Sequence, residues 1–297
     1  MLRPYSPASD MRVVSLLPAA TEIVAALGAT TWLVGVSHEC DWPPDVRTLP
    51  RVTRSSLDAS LSSAEIDGRM AAAKREGVAP VTIDRDMLAR LAPDVILGQS
   101  VCDVCAVDVG AQHAAQLLAT LPGSPRVVTL HAHDLDGVWS DMARVGEALG
   151  LQGEAEELVA GLRYRLRRVG AQHAAPLPNR PRIVVVEWVD PPYVAGHWVP
   201  ELVAAAGGVD VAAQPGDRSV TRAWSALRTL APDVVVIALC GFDVARAQRE
   251  VAAVTDPDAR ALLAQSRVVF LDGNAYTSRP GPRLVEGTEL LAELIGG

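Results

Sequence analysis

Apolar positions along the chain fall into two kinds of pattern. Seven short runs are almost continuously apolar: RVVSLL (12–17), WLVGVS (32–37), DVILGQ (94–99), RVVTL (126–130), RIVVVEWV (182–189), DVVVIAL (233–239) and RVVFLDG (267–273). Runs of this length, rich in Val and Ile, read as strands covered on both faces. The stretches between them are helical in pattern. Strands alternating with helices predict parallel sheets, and open parallel sheets bind ligands outside the carboxyl ends of their strands.

Two stretches of this pattern recur. LARLAPDVIL (88–97) returns as LRTLAPDVVV (227–236), in each case a short helix ending before proline and then an Asp leading into a strand. TEIVAALGA (21–29) returns as PELVAAAGG (200–208), an apolar helix opened by Thr or Pro and stopped at Gly. The chain therefore reads as two related lobes. Between them, 133–175 repeats apolar residues at helical spacing, with Val138, Met142, Val145 and Leu149 followed by Leu158, Leu162 and Leu166. This predicts one long connecting helix, bent near Gly150 to Gly153, and the proline-rich PLPNRPR (176–182) ends it. The predicted architecture is α/β: two Rossmann-like lobes with parallel sheets joined by a long connecting helix, with a ligand cleft between the lobes. The boundaries are 1–132 for the N-terminal lobe, with an insertion at 55–84, then 133–176 for the connecting helix and 177–297 for the C-terminal lobe.

A chain of 297 residues is long enough for each lobe to bury its own core. The formal net charge of −8 argues against nucleic acid or an anionic membrane surface as a partner. No apolar run approaches the ~20 residues of a bilayer span, so no membrane insertion is expected. The opening MLRPYSPASDMRVVSLLP has no basic stretch followed by an apolar segment of about 7–15 residues. That predicts a cytoplasmic protein, or a periplasmic or extracytoplasmic one if a leader is missing. In the cytoplasm Cys40, Cys102, Cys105 and Cys240 would be reduced, which favours free thiols or metal ligands over disulfides.

The loops that follow predicted strands hold the candidate site. In the first lobe they are Ser15 to Pro18, SHECDWPP (37–44) and GQSVCDVC (98–105). In the second they are EWVDPPYVAGHW (187–198), CGF (240–242) and DGNAYTSRPGPR (272–283). Of twelve aromatic residues, Trp188, Tyr193 and Trp198 share one loop, and Trp42 and Tyr276 lie in others. Aromatics beside Gly and Pro at strand ends suit a flat apolar ligand, with packing inside the protein as the alternative. Pro18, His38, Trp42, Trp188, Tyr193, His197, Trp198 and Tyr276 are the candidate ligand contacts. His38, Cys40, Cys102 and Cys105 follow two strands of one lobe and form a set suited to Zn²⁺ or an iron–sulfur cluster, against the alternative of free buried thiols. His38, a thiolate, or His197 from the other lobe would also suit the metal of a bound ligand, His197 reading at least as well as a loop-surface histidine. HAHD (131–134) opens the connecting helix, where Asp134 can cap, and reads as an interlobe hydrogen-bonding element. No Gly-x-Gly-x-x-Gly, P-loop, Gly-x-Ser-x-Gly or His-Glu-x-x-His occurs, so a non-catalytic binding role is expected.

RVVSLLPAATEIVAALGATTWLVGVSHECDWPPDV, LAPDVIL, WVDPPYVAGHWVPELVAAAGG and RPGPRLVEGTELLAELI together resemble the periplasmic cobalamin-binding proteins of ABC importers. More broadly they resemble the siderophore and haem receptors with a helical backbone, and the likeness runs over nearly the whole chain. The resemblance implies two α/β lobes joined by a rigid helix and cobalamin or a related corrinoid as ligand, with haem or a siderophore as the alternative. It implies an ABC permease as partner, docked through a glutamate on each lobe; carried over, these are Glu22 and Glu201. A first-turn glutamate is equally explained by the helix dipole. On the cytoplasmic expectation the chain becomes a corrinoid carrier, store or sensor. The alternative function is a metalloprotein holding Zn²⁺ or an iron–sulfur cluster through His38, Cys40, Cys102 and Cys105. The insertion at 55–84 departs from the family pattern and is expected to cover the cleft or contact a partner.

Overall fold

The structure is a computed structural model and describes residues 11–99, 121, 123–173, 176 and 179–296. The chain forms two compact α/β units: one from 1–56, 77–131 and 140–158, the other from 57–76, 132–139 and 159–297.

The first unit is a four-stranded, all-parallel sheet in the order β2-β1-β5-β6. Strand β1 (Val13–Ser15) runs into helix α1 (Pro18–Ala26), whose first turn holds proline, a residue preset for that position. This places the start of α1 three residues before Thr21, where the sequence pattern put it, and leaves Glu22 in its second turn. Strand β2 is Leu33–Val36. Two short strands, β3 (Thr53–Ser55) and β4 (Val81–Ile83), pair antiparallel and close the base of the excursion formed by 57–76. Helix α2 (Ser63–Glu76) lies on that excursion, so the chain leaves the first unit and returns to it. Helix α3 (Arg85–Leu91) is capped by Asp84, which accepts from the Met87 amide at 2.8 Å, and leads to β5 (Val95–Gln99); β6 is Arg126–Leu130. Val14, Leu16, Val52, Leu88, Ile96 and Leu121 form its core.

The segment 133–175 is two helices, α4 (Leu135–Leu149) and α5 (Gln152–Gln172), rather than one bent helix. Gly150 sits at φ 72°, a left-handed conformation that ends α4, and the Leu151 amide closes the cap on the Gly146 carbonyl at 2.7 Å. Gly146 faces Ala155 so closely that a side chain there would collide with it, so the two helices meet where the break occurs.

The second unit has a six-stranded sheet in the order β10-β8-β7-β11-β12, with β9 also on β7. Its strands β7 (Arg182–Val189), β11 (Val234–Ile237) and β12 (Arg267–Phe270) are parallel, while β8 (Pro192–Val194) and β10 (Val220–Thr221) are antiparallel additions. Helix α6 (Val199–Ala205) leads to β9 (Val209–Asp210), parallel to β7 as β2 is to β1. The remaining helices are α7 (Trp224–Thr229), α8 (Val244–Ala253), α9 (Pro257–Gln265), the short α10 (Gly273–Tyr276) and α11 (Arg283–Gly296). Val184, Val186, Val235, Ile237, Leu227 and Leu239 lie in its core. All seven strands read from the sequence are present, and each unit repeats the same Ala-Pro-Asp junction: Ala92 (φ 40°) and Ala231 (φ 45°) are both left-handed.

The 57–76 excursion, which the sequence reading assigned to the first lobe, packs on the second unit. Its helix opens with a capping box in which Glu65 accepts from the Ser62 amide and hydroxyl at 2.9 and 2.7 Å. The Ser63 amide donates to Glu250 at 2.9 Å, and Arg246 donates to the Leu61 carbonyl. Glu250 and Arg246 are themselves an ion pair at 2.8 Å on α8, with only 8% and 19% of their side chains exposed.

Two outcomes follow for stability. Glu250→Ala leaves the Arg246 charge and the Ser63 amide without their carboxylate, which is expected to cost about 2–4 kcal/mol in urea unfolding and to speed tryptic cutting at Arg69, Lys74 or Arg75; unchanged proteolysis of 57–76 would count against this seating. Asp210 accepts from the Ala212 and Ala213 amides at 2.8 and 3.0 Å through one oxygen, while its other oxygen is buried with no hydrogen-bond partner among the described residues. Burial pushes its pKa up to about 6. Because the folded value is raised, the carboxylate destabilises the fold when ionised, and the loss develops as pH rises from about 4 to about 6. Asp210→Asn is therefore expected to stabilise the protein by about 2 kcal/mol at pH 7.5 and hardly at all at pH 4. An equal effect at both pH values in parallel urea titrations would refute the assignment.

Candidate functional site

In the first unit the loop after β2 is stapled by Arg51, which donates to the Ser37 and Cys40 carbonyls at 2.9 and 2.6 Å. His38 is held at both ring nitrogens: Nδ1 meets the Thr53 hydroxyl at 2.7 Å and Nε2 lies 3.3 Å from Glu39. Cys40 is 1% exposed, its sulfur 3.1 Å from the Thr21 hydroxyl and 3.5 Å from that of Ser37. Cys102 and Cys105 lie outside the described residues. Among the described residues no group of three or more His, Cys, Asp or Glu side chains could hold a metal ion, which does not extend to Cys102 and Cys105. Pro18 opens α1 at the same edge, and Trp42 stands 44% exposed on the β2 loop.

In the second unit most of the predicted aromatic contacts are engaged within the fold. Trp188 and Tyr193 face each other across the β7–β8 hairpin. The Trp188 indole donates to the Ser63 carbonyl at 3.2 Å and packs on Phe242 with ring centroids 5.2 Å apart; the Tyr193 hydroxyl reaches Asp67 at 3.4 Å. Burial first, and then the Asp67 charge, raise the Tyr193 pKa. The excursion 57–76 thus covers the side of the edge that the sequence reading gave to ligand. Trp198 is 8% exposed and its indole donates to the Thr277 carbonyl at 2.8 Å, anchoring the loop after α10. Tyr276 remains half-buried, its hydroxyl 3.2 Å from Glu286 and its ring 4.9 Å from the Arg283 guanidinium.

His197 lies between these groups. Its ring stacks at 5.9 Å on His133 and at 5.4 Å, tilted, on Trp198. Burial first, then the nearby His133 and Arg218, lower its pKa, which favours the neutral imidazole. His133 was read only as part of a local motif. The rule that picked out the other loops, residues just past a predicted strand, would have included it, because 131–134 follow β6. The two histidines of HAHD part company: His131 is in the first unit, 3.3 Å from Arg144 at each ring nitrogen, and His133 is in the second. Asp134 caps α4 as expected, accepting from the Gly137 amide at 2.7 Å.

The carried-over docking pair takes different positions. Glu22 is 3% exposed inside the first unit, because α1 is buried all round from Ala19 to Val24; a carboxylate buried there is not presented to a partner. Glu201 accepts from the Leu135 amide at 2.7 Å and so satisfies the first turn of α4; burial raises its pKa against that bond.

A family model described as periplasmic binding protein matches residues 13–265. An uncharacterized ABC transporter substrate-binding lipoprotein of Bacillus subtilis strain 168, YvrC, is 25% identical over 292 residues, spanning 96% of this chain and 79% of that protein. In fold, the chain is similar to the apo periplasmic heme-binding protein RhuT of Roseiflexus sp. RS-1 (TM-score 0.68, 22% identity, 97% and 98% of the two chains). It is similar as well to the periplasmic vitamin B12 binding protein BtuF of Vibrio cholerae (TM-score 0.66, 20% identity, 96% of each chain). These findings overturn the cytoplasmic expectation: the matching family is periplasmic and the curated relative is a lipoprotein, which points to an extracytoplasmic location. They also accord with binding rather than turnover, since the family is one of solute-binding proteins. With 253 residues of the chain spanned by the family model and the two-unit α/β fold in common, the chain belongs to the periplasmic binding protein family.

Proposed function

We propose that the protein is the substrate-binding component of an ABC importer for a flat, metal-centred macrocycle, a corrinoid such as cobalamin in the first place and haem as the alternative. Its implied partner is an ABC permease, and the glutamate pair Glu22 and Glu201 is not proposed as the docking device because Glu22 is buried. The observation that carries the ligand class is Trp42. It is the predicted contact whose indole stands most exposed, on a strand-end loop of the first unit, and solved structures of the same fold carry names that say heme or vitamin B12. A large rigid aromatic face at such an edge suits stacking on a macrocycle. Tyr276, His197 and Pro18 are the further contacts proposed, whereas Trp188, Tyr193 and Trp198 are engaged within the second unit by Ser63, Asp67 and Thr277.

Titration of the purified protein with aquocobalamin, cobinamide and haemin tests this. One of them is expected to bind at about micromolar Kd or tighter, near −8 kcal/mol, and Trp42→Ala is expected to weaken it about tenfold, or about 1.4 kcal/mol. Equal affinity for cobalamin and cobinamide would show that the lower base is not read. Failure of all three to bind would overturn the macrocycle reading, and tight binding of a ferric siderophore instead would replace it.

A further inference from the structure

Helix α5 (Gln152–Gln172) is buried along one line and open along the other. Ala155, Leu162 and Val169 are all buried, and their spacing of seven keeps them on one inward face. On the opposite face Gly153, Glu157, Ala160, Tyr164, Arg167 and Ala171 are all exposed. Their spacings alternate between four and three, the repeat by which one helix packs along another. Tyr164 lies near the middle of this stripe, and at 60% it is the most exposed large apolar side chain among the described residues.

The charges on this face are segregated. Glu154, Glu156 and Glu157 lie in its first half, and Arg163, Arg167 and Arg168 in its second. The helix dipole acts on the first and last turns, which hold Glu154 and no basic residue, so it does not account for the division. Within the helix no glutamate stands three or four residues from an arginine, the spacing at which side chains meet. Arg163 is held by Asp136 at 2.8 Å, whereas Glu154, Glu156, Glu157, Arg167 and Arg168 have no ion-pair partner among the described residues. Gly161 is equally unexplained from within. Glycine weakens a helix interior, yet a Cβ at 161 would meet nothing within 4 Å, so the chain's own packing does not require it.

Turned end for end, this face is complementary to itself. We propose that α5 is the contact surface for a second copy of this chain, the two helices running antiparallel about a two-fold axis beside Gly161. In that register Glu157 of each copy faces Arg167 of the other, Glu154 faces Arg168, Ala160 faces Tyr164 and Gly153 faces Ala171. A two-fold contact uses one patch twice, so every charge pair occurs twice. Gly161 lets the backbones approach at the axis, and Ala160 leaves room for the Tyr164 ring. A parallel pairing would set Glu157 on Glu157 and Arg167 on Arg167, so the charge order selects the antiparallel one. One helix face is small against a standard interface, and exposed ion pairs are weak and screened by salt. The association is therefore weak and salt-dependent.

Sedimentation equilibrium of the full chain tests this. At about 0.01 M salt, where charges act over about 30 Å, the wild type is expected to dimerise with a Kd of about 0.1 mM, and at about 1 M salt at least about tenfold more weakly. Glu157→Arg and Arg167→Glu each bring like charges together twice and should each weaken dimerisation about tenfold at low salt. An equimolar mixture of those two variants pairs opposite charges again at both places, as does the double variant Glu157→Arg/Arg167→Glu, and both should recover the wild-type Kd. Gly161→Leu should abolish association without lowering the Tm, because its side chain has open space in the single chain. A wild type that stays monomeric at about 1 mM and low salt would overturn the proposal. So would dimerisation that the single reversals leave unchanged, or a loss that neither the mixture nor the double variant restores.

Discussion

In each unit the sheet is held at its amino-terminal edge by one aspartate. Asp94 accepts from the Arg12 amide at 2.8 Å through its side chain, donates its own amide to the Arg12 carbonyl at 2.8 Å, and accepts from the Arg126 amide at 2.8 Å through its carbonyl. Asp233 does the same in the second unit, with Arg182 at 2.7 Å and 2.8 Å and Arg267 at 3.0 Å. The arginine side chains complete the clamp: Arg12 reaches the Leu91 carbonyl at 2.8 Å and Arg182 the Leu230 carbonyl at 2.7 Å, each at the end of the helix that precedes the aspartate. Carbonyls at a helix end have no partner in the helix and carry partial negative charge, so a guanidinium is the natural partner. The aspartate thereby sets the three neighbouring parallel strands of each sheet level at their starts, β1, β5 and β6 in the first and β7, β11 and β12 in the second. The chain that follows β1, β5 and β6 leaves the opposite edge of the first sheet, and the chain that follows β7, β11 and β12 does so in the second.

This clamp explains why so much of the fold was legible. Ala-Pro-Asp is short but obligate, since proline expels the preceding residue from the helical region and the aspartate must then meet the next strands. The Val and Ile runs were legible because a strand buried on both faces has no polar positions to disguise it. The strands that escaped notice, β3, β4, β8, β9 and β10, have two or three residues each, too few to display a period. They exist because a longer neighbour offers an edge. The break between α4 and α5 is the opposite case: the glycines were visible, but whether they bend or end a helix depends on the close approach at Gly146.

The loops of the candidate site were legible, and the internal partners of its aromatics were not. Trp188 and Tyr193 stood out because aromatics at strand ends suit a ligand, yet their polar tips meet Ser63 and Asp67, more than a hundred residues earlier in the chain. No local pattern shows that a polar helix will return to that edge. Its mean composition is unremarkable, and its docking rests on backbone groups of Leu61 and Ser63 that any sequence possesses. What could have been noticed is the socket: Arg246 and Glu250 are four apart on a helix, a spacing that pairs them on one face. Glu22 is buried for a simpler reason: α1 is covered on every face from Ala19 to Val24, which a lone glutamate in an apolar run does not announce.

The two halves of the second unit's edge have consequently come to different physical arrangements. On the β7–β8 side the aromatic surface is satisfied by the protein's own chain, through an ion pair and backbone hydrogen bonds that cost little reorganisation once formed. On the side of His197 the backbone is strained, framed by Gly196 and the 214–219 turn, and the rings of His133 and His197 keep their nitrogens uncommitted among the described residues. A rigid frame around an unsatisfied group is what binding favours, because the ordering has been completed before the ligand arrives and is not charged against its affinity. Seating the 57–76 helix next to that frame extends the rigidity, since Trp188 and Phe242 pack in contact beneath it and the guanidinium of Arg246 lies 4.8 Å over the Phe242 ring. The excursion that looked in sequence like a cover for the ligand thus contributes as a brace. It gives the polar tips of Trp188 and Tyr193 their partners within the second unit, while the rings of His133 and His197 have no hydrogen-bond partner among the described residues.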